Sequence, residues 1–372
     1  MAKVSTWQNK RIGDVAKISS GKVISSKEIT NTYSPGLFPC YGGNGLRGYV
    51  KNYLYDGIYP IIGRVGALCG NVHLVRGRFY PTEHALVCSI KTDDNPRFIE
   101  YLLKSMNLNQ YAKGVAQPVL SASTVSELTA YFPSVIEQQR IVEELDLLSR
   151  VIELKNAQLH TLEDLSSAIF HEMFGDILSN EKMWETSTFG NEFKIYSGGT
   201  PDTKQPAYWE NGNISWIGSN LCQNLVLYHN DGKFITEEGL SHSSAKVFSE
   251  NFVLVALVGA TIGKSALLRF RTTTNQNVAG IDVPSNDSYT SEFVYMMMRG
   301  LYPLFMNVSN GKFKMANLSF VRSLPIIKPP LSLQETFSER FSVIQRQKSN
   351  VEKSIVVAEN LLASRMDKYF NE

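Results

Sequence analysis

Two segments of the chain place apolar residues three or four positions apart and contain neither Gly nor Pro. They cover residues 137–174 and 331–372, and the second repeats the register of the first 196 positions later. This spacing, kept for about five heptads, is typical of a long helix with one apolar side. The residues of this apolar seam are Ile141, Leu145, Leu148, Ile152, Leu159 and Leu162 in the first helix and Phe337, Phe341, Ile344, Val351, Ile355 and Leu362 in the second.

The two seams complement each other. Lys155 and Ser166 interrupt the first seam where the second has Val351 and Leu362. We therefore predict that the two helices pair, because each then covers apolar residues of the other. The alternative is that each helix packs on its own domain.

The remaining parts of the chain consist of short β-branched and aromatic runs that glycines interrupt. This pattern predicts strands separated by turns, with two shorter helices packed against a mixed or antiparallel sheet in an α+β domain. The strands are predicted at residues 57–62, 71–75, 85–90, 252–258 and 265–270, the turns at 41–45 and 197–202, and the helices at 96–106 and 291–301.

The chain contains one long internal repeat. Residues Gly13, Lys17, Ile18, Ser20 and Gly21 recur 177 positions later. The offset then grows to 193 between GALCG (66–70) and GATIG (259–263), which indicates insertions in the second copy. A period of about half the chain predicts a duplicated domain. The predicted order is a globular domain, a long helix, a second globular domain and a second long helix, at residues 1–136, 137–174, 175–330 and 331–372.

Composition and charge narrow the class of protein. With 372 residues, 43% hydrophobic and 19% charged, the chain can bury enough apolar surface to be globular. It shows neither a signal-peptide pattern at its start nor about 18 consecutive apolar residues, so we expect a cytoplasmic protein without a membrane partner. The four cysteines form no C-x-x-C pair and are predicted to be packing residues: Cys40, Cys69, Cys88 and Cys222.

The net charge of +2 is unevenly distributed. Residues 1–136 contain 15 Lys and Arg against 8 Asp and Glu, whereas residues 137–174 contain 3 against 8. A basic first third indicates a polyanionic partner, although surface solubility alone is the alternative explanation.

Three segments approach catalytic motifs without matching them. GATIGKS (259–265) has three residues between its glycines where a phosphate-binding loop has four. Residues 94–98 resemble the Asn-Pro-Pro-aromatic motif of amino-methyltransferases, but Arg97 replaces the second proline and no glycine-rich loop precedes it. Asp176 and Glu192 could belong to a nuclease-like set, yet the repeat partner of Glu192 is a valine. The histidines lack metal-ligand spacing, so we predict neither a catalytic site nor a metal site.

Basic side chains interleaved with tyrosines and glycine-bounded loops occur in both copies. No acidic residue lies between Glu100 and Glu127 or between Glu292 and Glu335. Basic side chains neutralise phosphates, and Arg, Asn and Gln reach base edges, so double-stranded DNA is the predicted partner, with a solvated face as the alternative. The candidate DNA-binding residues are Lys22, Lys51, Arg64, Arg76, Arg78, Lys113, Gln117, Lys204, Lys264, Arg269, Arg271, Lys312 and Lys314.

The whole chain resembles the DNA-specificity subunit of type I restriction-modification enzymes. In the first half, PCYGGNGLRGYV (39–50), IIGRVGALCGNV (61–72), PTEHALV (81–87), QPVLSASTVSEL (117–128) and EQQRIVEELD (137–146) carry the resemblance. In the second half, YSGGTPDTKQPAYWENGNISWI (196–217), VALVGATIGKSAL (255–267), TNQNVAGI (274–281) and LSLQETF (331–337) carry it. The second copy departs from the pattern at Lys314 and lacks the Gln139-Arg140 pair, which affects the assignment of base contacts there.

The resemblance implies two target-recognition domains in a pseudo-two-fold arrangement, with the long helices paired antiparallel as a spacer. It also implies docking of two methyltransferase subunits and of restriction subunits. Such a chain is non-catalytic and holds no cofactor, since S-adenosylmethionine, ATP and Mg²⁺ belong to the partner subunits. It reads a bipartite, asymmetric DNA site with an unread spacer. The alternative function is a single-chain nuclease or methyltransferase that acts on DNA without partners.

Overall fold

The structure is a computed structural model that describes residues 7–114, 117–284, 288–307 and 315–371. The chain forms two compact units. Unit 1 contains Met1–Ala157 and Glu352–Glu372, and unit 2 contains Gln158–Val351. Both units combine strands and helices, which confirms the predicted α+β class.

Unit 1 contains a mixed sheet and the beginning of the first long helix. Its strands are β1 (Gln8–Arg11), β2 (Ala16–Ser20), β3 (Phe38–Gly42), β4 (Gly45–Val50), β5 (Tyr55–Gly63), β6 (Val72–Pro81), β7 (Ala85–Ile90) and β8 (Thr129–Phe132). Its helices are α1 (Ile12–Val15), α2 (Pro96–Ser105), α3 (Ala122–Glu127) and α4 (Val135–Phe174). Six strands form one sheet in the order β2-β7-β5-β6-β3-β4, and β1 pairs with β8. The β3–β6 pair is parallel, so the sheet is mixed.

Unit 2 contains two larger sheets. Its strands are β9 (Thr186–Thr188), β10 (Lys194–Ser197), β11 (Ile214–Ile217), β12 (Leu225–Leu227), β13 (Phe234–Ile235), β14 (Val247–Phe248), β15 (Val253–Ala256), β16 (Ser265–Leu268), β17 (Thr272–Thr274), β18 (Val278–Asp282) and β19 (Pro325–Ile327). Its helices are α5 (Phe189–Glu192), α6 (Glu237–Ser241), α7 (Ser291–Gly300), α8 (Tyr302–Asn307), α9 (Leu318–Ser323) and α10 (Leu331–Phe370). The sheets have the orders β10-β18-β15-β16-β12 and β13-β11-β17-β14, and β19 pairs with β9.

The strands and short helices predicted from the sequence are present, with shifts at their ends. The prediction for residues 71–75 is too short, because β6 continues to Pro81 while it pairs with β5 and then β3. The prediction for residues 252–258 is too long, because the N–H of Leu257 leaves the ladder and donates to the carbonyl of Asn277. The insertions inferred for the second copy lie between Gly198 and Gly259, a stretch that contains β11 to β15.

The two units repeat the same strand register. Ser20 of β2 lies opposite Leu86 of β7, and Ser197 of β10 lies opposite Ala279 of β18. Helices α2 and α7 follow these strands, and each begins at a polar cap, Asn95 or Thr290. The Asn95 side chain accepts the N–H of Arg97 at 2.8 Å. Residues 94–98 are therefore a helix start with Pro in its first turn, and this structural role explains the motif without methyl transfer.

The long helices α4 and α10 each span 40 residues, and each unit holds part of both. In unit 2 they are antiparallel, since Glu163 accepts from Lys348 at 2.5 Å while the rings of Phe170 and Phe337 lie 5.3 Å apart. In unit 1, Glu144 of α4 bonds Arg365 and Tyr369 of α10. The seam residues are buried or half-buried in both helices: Ile141, Leu145, Leu148, Ile152, Leu159, Leu162, Phe337, Phe341, Ile344, Val351, Ile355 and Leu362.

The helices also pack on the globular part of each unit, so pairing and packing occur together. Ile141 and Leu145 lie in the core that includes Phe98, and Phe337 lies in the core that includes Phe293. A long amphipathic helix has enough apolar surface to satisfy both contacts.

A buried glutamine fixes each long helix to its unit. Gln138 accepts the N–H of Asn95 at 2.9 Å and donates to the Asp94 carboxylate and to the carbonyl of Pro133. In unit 2, Gln334 accepts the N–H of Thr290 at 3.1 Å. It also donates to the carbonyls of Ser288 and Pro329 at 3.0 and 2.9 Å. A buried amide is stable when its oxygen and nitrogen both have hydrogen-bond partners, as they do here. These bonds fix the position at which each long helix begins.

Candidate nucleic-acid interface

Loops that are distant in the sequence meet at one edge of the sheet in unit 1. The N–H of Arg64 donates to the carbonyl of His84 at 2.9 Å, and the N–H of Lys22 donates to the carbonyl of Pro81 at 3.0 Å. The carbonyl of Arg64 accepts the N–H of Leu120 at 2.8 Å. We call this surface loop cluster 1, and it consists of residues 20–22, 42–47, 63–66, 82–84, 113–114 and 117–119.

Glycines allow these loops to approach so closely. A Cβ on Gly43 would lie 2.9 Å from the carbonyl oxygen of His84, and one on Gly63 would lie 2.4 Å from the carbonyl oxygen of Gly43. Contacts of that length exclude any side chain at either position. The sequence GGNG (42–45) is therefore needed for packing of the backbone as well as for the hairpin turn.

The repeated G-x-x-x-G segments form tight turns and no phosphate-binding loop. Gly66 and Gly70 have φ values of 82° and 89°, and Gly259 and Gly263 both have 74°. In each turn the second glycine donates its N–H to the preceding strand, at 2.8 Å for Gly70 and 2.9 Å for Gly263. The amide of the second glycine is thus engaged in the fold.

Loop cluster 1 brings together four of the predicted DNA-binding residues and three that the sequence analysis missed. Arg64 is half-buried, and its Nη1 lies 3.3 Å from Ser20 Oγ. The predicted members are Lys22, Arg64, Lys113 and Gln117, and the additional ones are Arg47, Glu83 and His84. Glu83 Oε1 lies 3.2 Å from His84 Nε2, and the two side chains are 29% and 46% exposed. Cationic, acidic and imidazole groups on exposed glycine-bounded loops can contact both phosphates and base edges.

Three further candidates of unit 1 lie outside loop cluster 1. Arg76 and Arg78 are exposed on β6, and Arg78 Nε donates to Asp56 at 3.0 Å. The hydrogen bond to Asp56 raises the pKa of Arg78 above its ordinary value. Lys51 is exposed just after β4, beside a cavity of about 670 Å³ that Tyr49 also lines.

Unit 2 has an equivalent surface with different chemistry. The N–H of Leu257 donates to the carbonyl of Asn277 at 2.8 Å, as Arg64 does to His84 in unit 1. Thr200 donates to Gln276 Oε1 at 2.6 Å, and Lys264 donates to Gln223 Oε1 at 2.8 Å. We call residues 198–200, 218–224, 257–264 and 274–277 loop cluster 2. Its polar groups are mostly amides: Asn220, Gln223, Asn224, Asn275, Gln276 and Asn277.

Arg269, a predicted DNA-binding residue, makes its contacts within unit 2. Its guanidinium bonds Glu292 and Asn251 and lies 3.3 Å from Ser291 Oγ, with a side chain that is 22% exposed. These contacts tie the end of β16 to the start of α7. The basic pattern of the sequence did not indicate Glu292 as a neighbour, because 23 residues separate the two.

The remaining candidates of unit 2 lie elsewhere. Lys204 and Arg271 are exposed, Lys204 in the segment before β11 and Arg271 just before β17. Lys312 and Lys314 lie outside the described residues.

The residues of the other catalytic near-motifs also have structural roles. Asp176 accepts the N–H groups of Leu178 and Ser179 at 3.0 and 2.8 Å, and the bonds from Ser179 lower the pKa of Asp176 below its ordinary value. Glu192 instead pairs with Lys328 at 2.9 Å. In the described part of the chain no three His, Cys, Asp or Glu residues come together in a way that could hold a metal ion.

The four cysteines are buried and unpaired. Burial raises the pKa of the Cys88 and Cys222 thiols to about 12, so both remain protonated at neutral pH. Among the described residues, no helix combines the length and apolar character needed to span a bilayer.

Comparisons with known proteins place the chain among DNA-recognition proteins. A family model described as a type I restriction modification DNA specificity domain matches it twice, at residues 4–164 and 181–357. The specificity subunit of the type I restriction enzyme EcoprrI from Escherichia coli is 43% identical over 140 residues, which are 37% of this chain and 35% of that relative. The MjaIX specificity subunit from Methanocaldococcus jannaschii is 23% identical over 396 aligned residues, covering 95% of this chain and 90% of that relative.

Two solved structures share the fold. The specificity subunit of a type I restriction-modification system from M. genitalium has a TM-score of 0.63 at 16% identity, covering 100% of this chain and 98% of its own. A chain from a structural study of complex assembly and conformational transition in the type I system has a TM-score of 0.55 at 18% identity. It covers 98% of this chain and 97% of its own length.

Proposed function

The chain belongs to the family of type I restriction-modification DNA specificity subunits, and from this premise we propose that it recognises a bipartite, asymmetric site in double-stranded DNA. One half-site is bound by the recognition domain at residues 1–136 and the other by the domain at residues 175–330. A spacer that the protein does not read separates the half-sites.

The observation that carries this proposal is the occurrence of two equivalent loop clusters with unequal side chains. Loop cluster 1 presents Lys22, Arg47 and Arg64 together with Glu83, whereas loop cluster 2 presents mainly amides. Two domains of the same fold place their loops alike, and different side chains at those places select different base pairs. An asymmetric target follows from this difference.

The chain acts in this proposal as a non-catalytic subunit in the cytoplasm. It binds no cofactor, and S-adenosylmethionine, ATP and Mg²⁺ are used by methyltransferase and restriction subunits. Two methyltransferase subunits assemble on each chain. The residues of the catalytic near-motifs do not favour a stand-alone enzyme, since Asp94 accepts from Gln138, Asp176 accepts in a turn and Glu192 pairs with Lys328.

The outer faces of the long helices supply the docking surface for the methyltransferase subunits. Leu147, Val151, Leu154 and Leu165 are exposed on α4 and, at spacings of three, four and eleven, lie on one helical face. On α10, Val343, Val357 and Leu361 are exposed in the same way, and Leu147 and Val357 are 66% and 67% exposed. We define Leu147, Val151 and Leu154, which belong to unit 1, as the helix docking face. Residues 137–174 contain 8 Asp and Glu against 3 Lys and Arg, and this excess of negative charge favours a basic partner surface beside this face.

The proposed function predicts one methylated motif. The chain is expressed with its partner methyltransferase, and the modified bases of the host genome are sequenced. We expect a single motif of two short, unequal half-sites with a constant gap. Incubation of the chain alone with DNA, Mg²⁺ and S-adenosylmethionine should give neither cleavage nor methylation, and either activity would support the single-chain enzyme.

A separate test introduces negative charges into the helix docking face. Leu147→Glu combined with Leu154→Glu should prevent co-purification of the methyltransferase subunit, because two carboxylates would be buried in an apolar contact. Leu178→Glu is the matched control, since Leu178 is exposed in unit 2 outside both long helices. Retained co-purification of the double variant with normal helix content would place the docking surface elsewhere.

A further inference from the structure

Glu83 of unit 1 and Gln276 of unit 2 occupy equivalent positions of the repeat. Glu83 lies three residues before Leu86, which pairs with Ser20 of the neighbouring strand. In the same way, Gln276 lies three residues before Ala279, which pairs with Ser197. The residue that follows each of them accepts an equivalent backbone hydrogen bond, His84 from Arg64 and Asn277 from Leu257. The two side chains differ mainly in carrying a carboxylate or an amide.

The amide of Gln276 is exposed and oriented. Its Oε1 accepts from Thr200 Oγ1 at 2.6 Å, and its own carbonyl accepts from Ser197 Oγ at 3.3 Å. The contact with Thr200 holds this end of the amide in place. Within the described residues no group accepts a hydrogen bond from its Nε2.

An oriented primary amide is the group that pairs with adenine through two hydrogen bonds. Its oxygen accepts from the N6 amino group, and its nitrogen donates to N7 in the major groove. A carbonyl oxygen has two lone pairs, so Gln276 can keep its bond to Thr200 while it contacts a base. Lys264 lies in the same loop cluster, where its ammonium can approach a phosphate.

Glu83 presents the complementary case through its Oε1, which lies 3.2 Å from His84 Nε2, because its Oε2 is buried. A carboxylate only accepts hydrogen bonds, and the matching group in the major groove is the N4 amino group of cytosine. Arg47 and Arg64 lie in the same loop cluster and can donate to guanine O6 and N7. A carboxylate with neighbouring guanidinium groups therefore suits a G·C pair.

We propose that positions 83 and 276 are equivalent base-contacting positions, with Gln276 selecting adenine in one half-site and Glu83 selecting cytosine in the other. This inference rests on the proposed function and adds the residues and the base chemistry to it. The half-sites of this chain then differ at corresponding base pairs because a carboxylate replaces an amide.

The test uses the full chain in complex with its partner methyltransferase. Methylation is measured on a library of duplexes that is randomised at each base pair of the wild-type motif. Gln276→Glu should reduce methylation of the wild-type site by about 10- to 100-fold, since one good bidentate pair contributes that much discrimination. The loss should be confined to one base pair of one half-site, and Glu83→Gln should change the equivalent base pair of the other.

Further variants separate base contact from a role in folding. Gln276→Ala should accept several bases at the same position, and Thr200→Val should weaken the preference there without moving it. Asn211→Asp and Glu127→Gln are the matched controls, since both residues are exposed outside the loop clusters. Both controls should leave the motif unchanged.

The outcomes distinguish this inference from the proposed function. A wild-type complex that methylates no bipartite motif would contradict the proposed function. A normal wild-type motif that stays unchanged in Gln276→Glu and Gln276→Ala, or that changes in both half-sites, would contradict the inference alone. If the Gln276→Glu complex does not assemble, the inference is tested by the base preferences of Gln276→Ala and Thr200→Val. Unchanged preferences in both variants would contradict it.

Discussion

Replacement of two exposed basic residues of loop cluster 1 should change how DNA binding depends on salt. Lys22 and Arg47 lie on neighbouring loops, where Lys22 is bonded through its backbone to Pro81 and the Arg47 side chain lies beside Gly42. Neither side chain is buried, so Lys22→Gln with Arg47→Gln should leave the fold intact. The variant removes two charges that we assign to phosphate contacts.

The size of the effect follows from counterion release. Each phosphate contact contributes about 0.9 to the slope of log K against log salt for duplex DNA. Loss of two contacts therefore flattens the slope by about 1.8, so over a tenfold range of salt the wild-type complex loses about 60-fold more affinity than the variant. Fluorescence anisotropy of the assembled complex on labelled duplex, measured at several salt concentrations, gives both slopes.

A matched control removes the same charge elsewhere in unit 1. Lys10→Gln with Arg11→Gln changes β1, which pairs with β8 outside loop cluster 1. This control should keep the wild-type slope. Equal slopes for the wild type and the Lys22/Arg47 variant would refute the assignment of loop cluster 1 to the DNA surface.

Two further predictions concern the ion pairs of unit 2. Burial raises the pKa of Glu163, but Arg299 and Lys348 outweigh it and hold the pKa below its ordinary value. Glu163→Gln should lower the stability of the unit by about 3 kcal/mol in thermal unfolding, because two half-buried cations lose their partner. The control Glu172→Gln, at an exposed position, should change the stability of the unit little. Because the folded pKa is depressed, this stabilisation is present above the unfolded pKa of about 4.3 and is lost as pH falls through the folded value. The difference between wild type and Glu163→Gln should therefore shrink in acid. Arg269→Gln should also destabilise unit 2, by leaving the carboxylate of Glu292 without its partner, while the salt slope of DNA binding stays unchanged. A flatter salt slope of DNA binding, with normal stability, would instead show that Arg269 contacts DNA.

The long helices and the duplication could be predicted because they depend on patterns that are local or repeated. The seam around Leu145 and Phe341 follows from the helical period, since one face must be buried. The G-x-x-x-G turns are visible because two copies share them. Gln138 and Gln334 lie 196 positions apart, which is the offset of the two long helices. Their role depends on the caps of α2 and α7, which only the fold brings into contact.

The surfaces proposed to bind DNA could be predicted only in part, because sheet pairing brings distant residues together. Lys22 and Arg64 were found by charge, yet Glu83 lies beside them through the pairing of β2 and β5 with β7. Arg269 had the same sequence signal as Lys264, and only the position of Glu292 distinguishes it. Gln276 gave no signal of its own, because an amide in a polar loop resembles an ordinary turn residue.

The exchange of one recognition domain tests most directly whether each domain reads its own half-site. Residues 1–136 are replaced by the matching part of another family member that keeps the aspartate and asparagine facing Gln138, and the methylated motif is sequenced. Our account predicts that one half-site changes completely while the other half-site remains as in the wild type. A change in both half-sites, or in neither, with an assembled and active complex would contradict it.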